Sequence, residues 1–508
     1  MPRLSRGVPT LPVLAGAVML LFCFVASPVL GQTEAGAAAK EAGNDQVIIT
    51  QMSAAKSRIR RFLERLLGRS QGKSLETTGS EVVSVPKAQS SRLRRRLEAL
   101  GAKVITLRDK WNHILRRSKD PVPVTPTQQA TVDKITALPE TVNLGMVKMP
   151  DPAVVELALK GQDDMQKHFS RVVLPLSDGK DIALIRTRPT DRTEGGFTWN
   201  GEVEETGERA VLMLWRDGHL SGYFGYRGHV FTVNQVAGEV HAMAEIDPGK
   251  LPPDHAPTQA GRPAKPSRTS PEPHVAPFPD AERKALEAKD VTIDVMLLYG
   301  KSAARYYIRD PADLLALAIE QANQTFRNSG LGNVKLRLVH TQAIDYANPG
   351  GDQFEDLYRM VDGVGPFKDV KRLRNETHAD IVGLIINNPN GCGLSTRVGA
   401  DAEEAYFVVH HACAAITYSI AHEIGHIIGA RHDRLTDTNE APFPYAHGYI
   451  NGSKWRDMMS YQEGCDGCPR IPYWSNPRIL YKGEPTGTPA SDNARLILEQ
   501  AERVAKFR

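Results

Sequence analysis

His422-Glu423-Ile424-Gly425-His426-Ile427-Ile428-Gly429-Ala430-Arg431-His432-Asp433 is the stretch on which the reading of this chain turns. On a helix of about 3.6 residues per turn, positions four apart lie about 40° from one another, so His422 and His426 share a face. Glu423 is rotated off that face, close enough to reach a metal-bound water without serving as a ligand. Gly429 takes left-handed dihedrals cheaply, so the helix can stop there and the chain double back. That turn brings up His432 as a third ligand and leaves a fourth tetrahedral position open, which separates a catalytic zinc from a structural one. The competing reading is an amphipathic core helix that happens to carry histidines. It leaves Gly429, His432 and Asp433 at their offsets unexplained.

The extended motif resembles that of the metzincin zinc endopeptidases. The resemblance implies a tight turn with a methionine beneath the metal, and Asp457-Met458-Met459-Ser460-Tyr461 is the candidate. Met459 matches best, with Asp457 standing where a Ser-x-Met-Ser-Tyr turn begins with serine; Met458 is the fallback. A soft thioether there gives the imidazoles an apolar floor without competing for the ion. The plainer alternative is that both methionines fill core. Tyr461 stands where astacin-like and serralysin-like members place a tyrosine that swings between metal and substrate. Its phenol would donate to the oxyanion that develops during attack; otherwise it packs under the turn.

At 508 residues the chain should hold two folded units plus connectors. Arg3 and Arg6 precede an apolar run from Leu11 to Val25, too short for a membrane span and suited to a signal peptide, with cleavage expected after Gly31. Phe22 ahead of Cys23 is too bulky for a lipoprotein site. Export to the extracellular space or periplasm follows. Residues 32–170 read as a basic, partly helical pro-region. Between Lys56 and Lys119 there are 18 Lys or Arg against 5 Asp or Glu, although the whole chain carries only +4. The stretches beginning at Arg58 and Arg92 place leucines at helical intervals, as short basic amphipathic helices would. Their charge would suit an anionic surface; a solvated face on a removable pro-region is the commoner meaning. No nucleic-acid-binding motif accompanies the charge, so no nucleic acid is expected as a partner.

Residues 171–247 show short alternating runs broken by glycine, a small antiparallel β pro-domain. Residues 248–289 are laden with proline and read as an extended, protease-accessible linker. From 290 to 508 strand and helix alternate. Val291–Tyr299 is a buried strand, 310–328 a helix, and Val334–Thr341 and Ile381–Ile386 further strands. That is an α/β (α+β) catalytic domain with a mixed sheet, the metal-binding helix and the Met turn. The strand beginning Ala405-Tyr406 is read as the edge along the active-site cleft, where an extended substrate could add. In an exported protein the remaining cysteines, Cys392, Cys413, Cys465 and Cys468, read as disulfides. Three pairings are open; Cys392–Cys413 with Cys465–Cys468 is preferred, and a second zinc held by Cys465 and Cys468 is the rival.

From about Val291 to Arg508 the chain resembles bacterial reprolysin-like metzincins, and most closely the peptidyl-Asp metalloendopeptidase family. Beyond the histidine motif, Gly391-Cys392-Gly393, His447-Gly448-Tyr449, Trp455 to Tyr461, and Gly467 to Pro477 carry this. The resemblance implies a secreted endopeptidase made as a precursor and acting on polypeptides. It implies one catalytic Zn²⁺ on His422, His426 and His432, with Glu423 as general base. It also implies a preference for Asp after the scissile bond, and so a cationic pocket in the chain following the Met turn. Arg470 is the first candidate, with Arg397 and Arg456 as runners-up; each is otherwise an ordinary surface charge. Asp433 is read as a buried acceptor fixing the turn and the start of the catalytic domain. The pro-region should act as inhibitor, and since Gln32–Asp290 contains no cysteine, a carboxylate, a histidine or steric blocking must do it. Self-processing is expected at Asp254, Asp280 or Asp290, first of all at Lys289–Asp290. The alternatives are a secreted zinc-fold binding or adhesion module with little turnover, against which Glu423 argues, and a hydrolase of a non-peptide amide.

Overall fold

The computed structural model describes residues 44–50, 72–75, 80–86, 95, 103–106, 124–148, 171–254 and 273–508. The last two spans are interrupted at 177–179, 188–190, 193–195, 216–219, 239, 308–310 and 348–350. The expected signal peptide, the expected cut after Gly31 and all but Arg95 of the two expected basic helices lie outside these residues. Contacts divide the chain into residues 1–106 and 107–508. The first unit holds strands β1 (Asn44–Thr50), β2 (Gly72–Leu75), β3 (Ser80–Pro86) and β4 (Lys103–Thr106). They form one antiparallel sheet in the order β2-β3-β1-β4.

The second unit begins with helix α1 (Pro126–Thr136), started by a reciprocal capping box between Thr125 and Gln128. Strand β5 (Thr141–Lys148) follows, and pairs with the far end of the next sheet, along β13 (Val240–Ile246). The expected β unit of 171–247 is therefore larger, taking in a strand assigned to the basic pro-region. Its other members are β6 (Arg171–Pro175), β7 (Asp181–Arg186), β8 (Asp191–Arg192), β9 (Gly196–Val203), β10 (Arg209–Trp215), β11 (Leu220–Tyr226) and β12 (His229–Ala237). The order is β5-β13-β12-β11-β10-β9-β7-β6, with β8 on β9. An isolated strand of modest alternation such as 141–148 shows its membership only when a partner edge is available.

The linker reading also changes at both ends. Pro252 and Pro253 run against Cys392, and Asp254 pairs with Arg456 and Arg470. Phe278 is buried in the core, with the Arg495 guanidinium 4.9 Å above its ring, and Asp280–Glu287 forms helix α2.

The remainder is a mixed α/β layer. Strands β14 (Val291–Gly300), β15 (Val334–Ile344), β16 (Ile381–Ile386), β17 (Gly393–Ser395) and β18 (Tyr406–His410) order as β15-β14-β16-β18-β17. All pairs are parallel except β17–β18. Both faces of β14 are covered, which is why its sequence is apolar throughout. Ile293, Val295 and Leu297 face helix α3 (Pro311–Asn328), the histidine-bearing helix α4 (Ser419–Ile428) and the C-terminal helix α5 (Asn493–Val504). Met296 and Leu298 face the opposite core, with Leu357, Met360, Phe367 and Val370. The sheet edge is not the strand expected from the sequence: β18 is second in, and the three-residue antiparallel β17 lies outside it. Among the described residues no helix is long and apolar enough to cross a membrane.

Candidate metal centre and cleft

Helix α4 is buried along its whole length, and it ends at Gly429, whose φ of +132° turns the chain back. Ala430 donates its N–H to Gly425 O at 2.8 Å and Arg431 bonds onto Ala446, lifting His432 toward the helix. Nε2 of His432 then lies 2.9 Å from Nε2 of His426 and 3.3 Å from that of His422. Three nitrogens held about 2.0–2.1 Å from a tetrahedral ion would stand about 3.3 Å apart, so the cluster is of the right size for one metal. The other ring nitrogens are engaged: Nδ1 of His422 lies 3.0 Å from Met458 O, and Nδ1 of His426 lies 2.8 Å from Ala430 O. Such contacts place the N–H on Nδ1 and leave Nε2 with its lone pair facing the centre. Burial, then the neighbouring His426, holds the His422 imidazole well below its usual pKa, so it stays neutral.

Glu423 is 3% exposed and is hydrogen-bonded by Ser395 on β17. Burial pushes its carboxyl up to about 8, against the pull of Ser395 and the Arg470 charge. Beside it, a Cβ on Gly393 would fall 2.5 Å from Glu423 Oε1, so only glycine leaves the carboxylate where it is. The sequence showed Gly391-Cys392-Gly393 only as a shared motif; the reason for its second glycine is this approach.

The turn after β18 and α4 is organised by two carboxylates. Asp457 Oδ1 accepts from the N–H groups of Met459 and Ser460 and from the Ser460 hydroxyl, and its Oδ2 accepts from Ser475 N. Met459 Sδ packs against the α4 backbone at Gly425, while Met458 supplies the carbonyl that orients His422. Asp433 accepts from Leu435 N, Thr436 Oγ1 and Tyr461 N, tying the third histidine's loop to the Met459 turn. These contacts match the expected role of Asp433 as a buried acceptor fixing the turn. Tyr461 reaches the cluster itself, its hydroxyl 2.7 Å from His432 Nε2.

Disulfides join Cys392 to Cys413 and Cys465 to Cys468. The first ties the entrance of β17 to the exit of β18; the second closes the loop leading to Arg470. With both cysteines paired, a zinc on Cys465 and Cys468 is ruled out. Arg397 is a surface residue, bonded to Asp401 and Glu404 with half its side chain exposed. Arg456 is buried and Arg470, with its side chain 9% exposed, lies beside it; each donates to Ser460 O.

A three-imidazole metal cluster beside a buried carboxylate, along the edge of an α/β sheet, is the equipment of a metallopeptidase. Residues 289–475 match the model of metallo-peptidase family M12 of the reprolysin type. The chain is 31% identical over 404 residues to the peptidyl-Asp metalloendopeptidase of Xanthomonas campestris pv. campestris, covering 76% of this chain and 90% of that one. It is 32% identical over 350 residues to the protein of the same name from Stenotrophomonas maltophilia strain R551-3, covering 65% and 81%. A crystal structure of metalloproteinase-II from Bacteroides fragilis aligns at a TM-score of 0.36 with 14% identity, over 65% of this chain and 91% of that one. The protein is a reprolysin-like metalloendopeptidase. Within that class it belongs to the family of the peptidyl-Asp metalloendopeptidases.

Proposed function

We propose that the protein is a secreted, zinc-dependent metzincin endopeptidase, made as a precursor whose 171–247 region is a pro-domain, with a preference for Asp after the scissile bond. One observation carries most of this reading: three converging Nε2 atoms with Glu423 one residue along the same helix, held from the side by Ser395. His422, His426 and His432 would hold the ion, and three imidazoles with an open position suit zinc. When bound there, zinc supplies a Lewis acid that acidifies water and polarises the peptide carbonyl. Glu423 takes the proton of the attacking water and passes it to the departing amine. The Tyr461 hydroxyl donates to the oxyanion as it develops. The β17 edge offers backbone groups to which an extended peptide can align. The preference for Asp is supported by Arg456 and Arg470, two neighbouring guanidiniums whose side chains are only 10% and 9% exposed.

The test is metal content together with mass spectrometry of peptides released from a denatured protein mixture. One zinc per chain, loss of activity on chelation with recovery on adding zinc, and cuts ahead of Asp are expected. Glu423→Ala should retain the zinc and release no peptides. An active preparation without zinc, or cuts unrelated to Asp, would overturn the corresponding part.

A further inference from the structure

The cationic pocket is filled, by the chain itself. Asp254 Oδ2 lies 2.9 Å from Arg456 Nη1 and 3.1 Å from Arg470 Nη2. The side chains of Arg456, Arg470 and Asp254 are 10%, 9% and 12% exposed, so this is an interior contact, 202 residues apart in sequence for the first pair. Exposed ion pairs of this length mean little; a desolvated one shared by two guanidiniums is specific. Both arginines are fixed from behind. Arg456 donates to Cys468 O and Ser460 O, and Arg470 to Thr417 O and Ser460 O. Every one of those carbonyls belongs to a segment of the centre: the disulfide loop, the Met459–Tyr461 turn and the lead-in to α4. Arg470 Nε is buried with no acceptor among the described residues, so the pocket retains donor capacity beyond what Asp254 takes up.

The backbone leading to Asp254 also meets the cleft edge. Pro253 O accepts the Cys392 N–H at 2.7 Å, immediately ahead of β17. The two residues before Asp254 are prolines, which have no N–H to donate to that edge. A segment of this kind anchors through its carboxylate and one carbonyl but cannot complete a strand pairing. The carbonyl of Pro253, the one that would be attacked in a cut ahead of Asp254, is occupied by Cys392. Anchored but incompletely paired, the segment fits an inhibitor better than a substrate.

We infer that Arg456 and Arg470 together form the carboxylate pocket of the cleft, and that Asp254 is an internal stand-in for the substrate aspartate that keeps substrate out while it is attached. This rests on the proposed Asp preference and goes beyond it by naming the occupant of the pocket. Burial and the neighbouring Arg470 push the Arg456 guanidinium down to about 10, and the Asp254 carboxylate acts against that shift.

The experiment uses the full-length chain carrying Glu423→Ala, which blocks turnover, and reads binding by fluorescence anisotropy. The probes are two labelled peptides, identical but for one central Asp or Asn. With Asp254 present, both should bind weakly and alike. Adding Asp254→Asn should tighten the Asp peptide roughly thirtyfold, the effect expected of a buried charge partner, and leave the Asn peptide nearly unchanged. Arg456→Lys or Arg470→Lys on that background should erase the difference, since lysine keeps the charge but loses the planar fork. Thermal unfolding of each variant identifies any that has lost its fold, and the lysine variants stand in for more disruptive alanines. Asp-over-Asn discrimination that is the same with and without Asp254→Asn would overturn the inference while the Asp preference stands. No discrimination in any variant would sink the Asp preference itself.

Discussion

The Tyr461 hydroxyl stands 2.7 Å from Nε2 of His432, so a phenol from the turn shares the space of the third imidazole. Main-chain N–H of Tyr461 is fixed by Asp433, the residue next to that histidine, so the two move as one unit. A donor in this position acts on charge that exists only as the carbonyl is attacked. Tyr461→Phe should therefore lower kcat roughly a hundredfold with little change in KM and full metal content. Steady-state kinetics on a quenched peptide with parallel metal analysis decides it; a rise in KM alone would assign Tyr461 to substrate binding.

Glu423 and Gly393 touch across the gap between α4 and β17. An alanine at 393 would place its methyl carbon 2.5 Å from Oε1 and 2.9 Å from Cδ of Glu423. The carboxylate must rotate away from water while the histidines stay. Gly393→Ala is expected to cost roughly a hundredfold in kcat/KM, the scale of a misplacement of about 1 Å, at unchanged metal stoichiometry. Retained activity would mean that the helix and strand separate easily.

Asp457 satisfies four donors that would otherwise be buried without acceptors. Asp457→Ala should destabilise the catalytic domain by about 2–4 kcal/mol. Asp457→Ser should be milder, because a hydroxyl can still serve the Met459 and Ser460 amides while losing Ser475. Midpoints of denaturant unfolding, compared at equal slope, test the order Asp > Ser > Ala.

Latency should not depend on a thiol. No cysteine lies between Gln32 and Asp290, and Cys392, Cys413, Cys465 and Cys468 are all paired. Organomercurials or mild oxidants added to the precursor should leave its activity unchanged; prompt activation by either would contradict this.

The boundary of the mature form should lie upstream of Phe278, between residues 255 and 277. Phe278 is 8% exposed in the same core as α4, and Arg495 stacks over it, so a chain starting at Asp290 would leave a hole there. This replaces the cut expected at Lys289–Asp290. That window contains no aspartate, so trimming in it should persist in Glu423→Ala, and it would separate Asp254 from the catalytic domain. N-terminal sequencing of the processed chain gives the answer; a start at Asp290 with normal thermal stability would refute it.

The three histidines that converge, the glutamate next to His422, the turn at Gly429, the strands at 291 and 381 and the helix from 311 were all legible in the amino-acid sequence. Each is a matter of short-range periodicity or of one residue's backbone preference, and such signals survive without a partner. What only the tertiary structure decided is of another kind. The cleft edge is β17, three residues with no pattern of their own, whose strand character exists because β18 offers hydrogen-bonding groups. Strand β5 joins the large sheet because the free edge of β13 lies beside it. Ser395 was silent in the sequence because its meaning depends on Glu423, and Arg456 gained weight over Arg397 only when one proved buried and the other exposed. Asp254 stood in a proline-rich segment that looked like mere linker. Its pairing with Arg456 and Arg470 spans about two hundred residues, and no local rule of charge or spacing selects those partners from the chain's 63 lysines and arginines. Coulomb attraction acts on distance in space, and that distance exists only after the chain has folded.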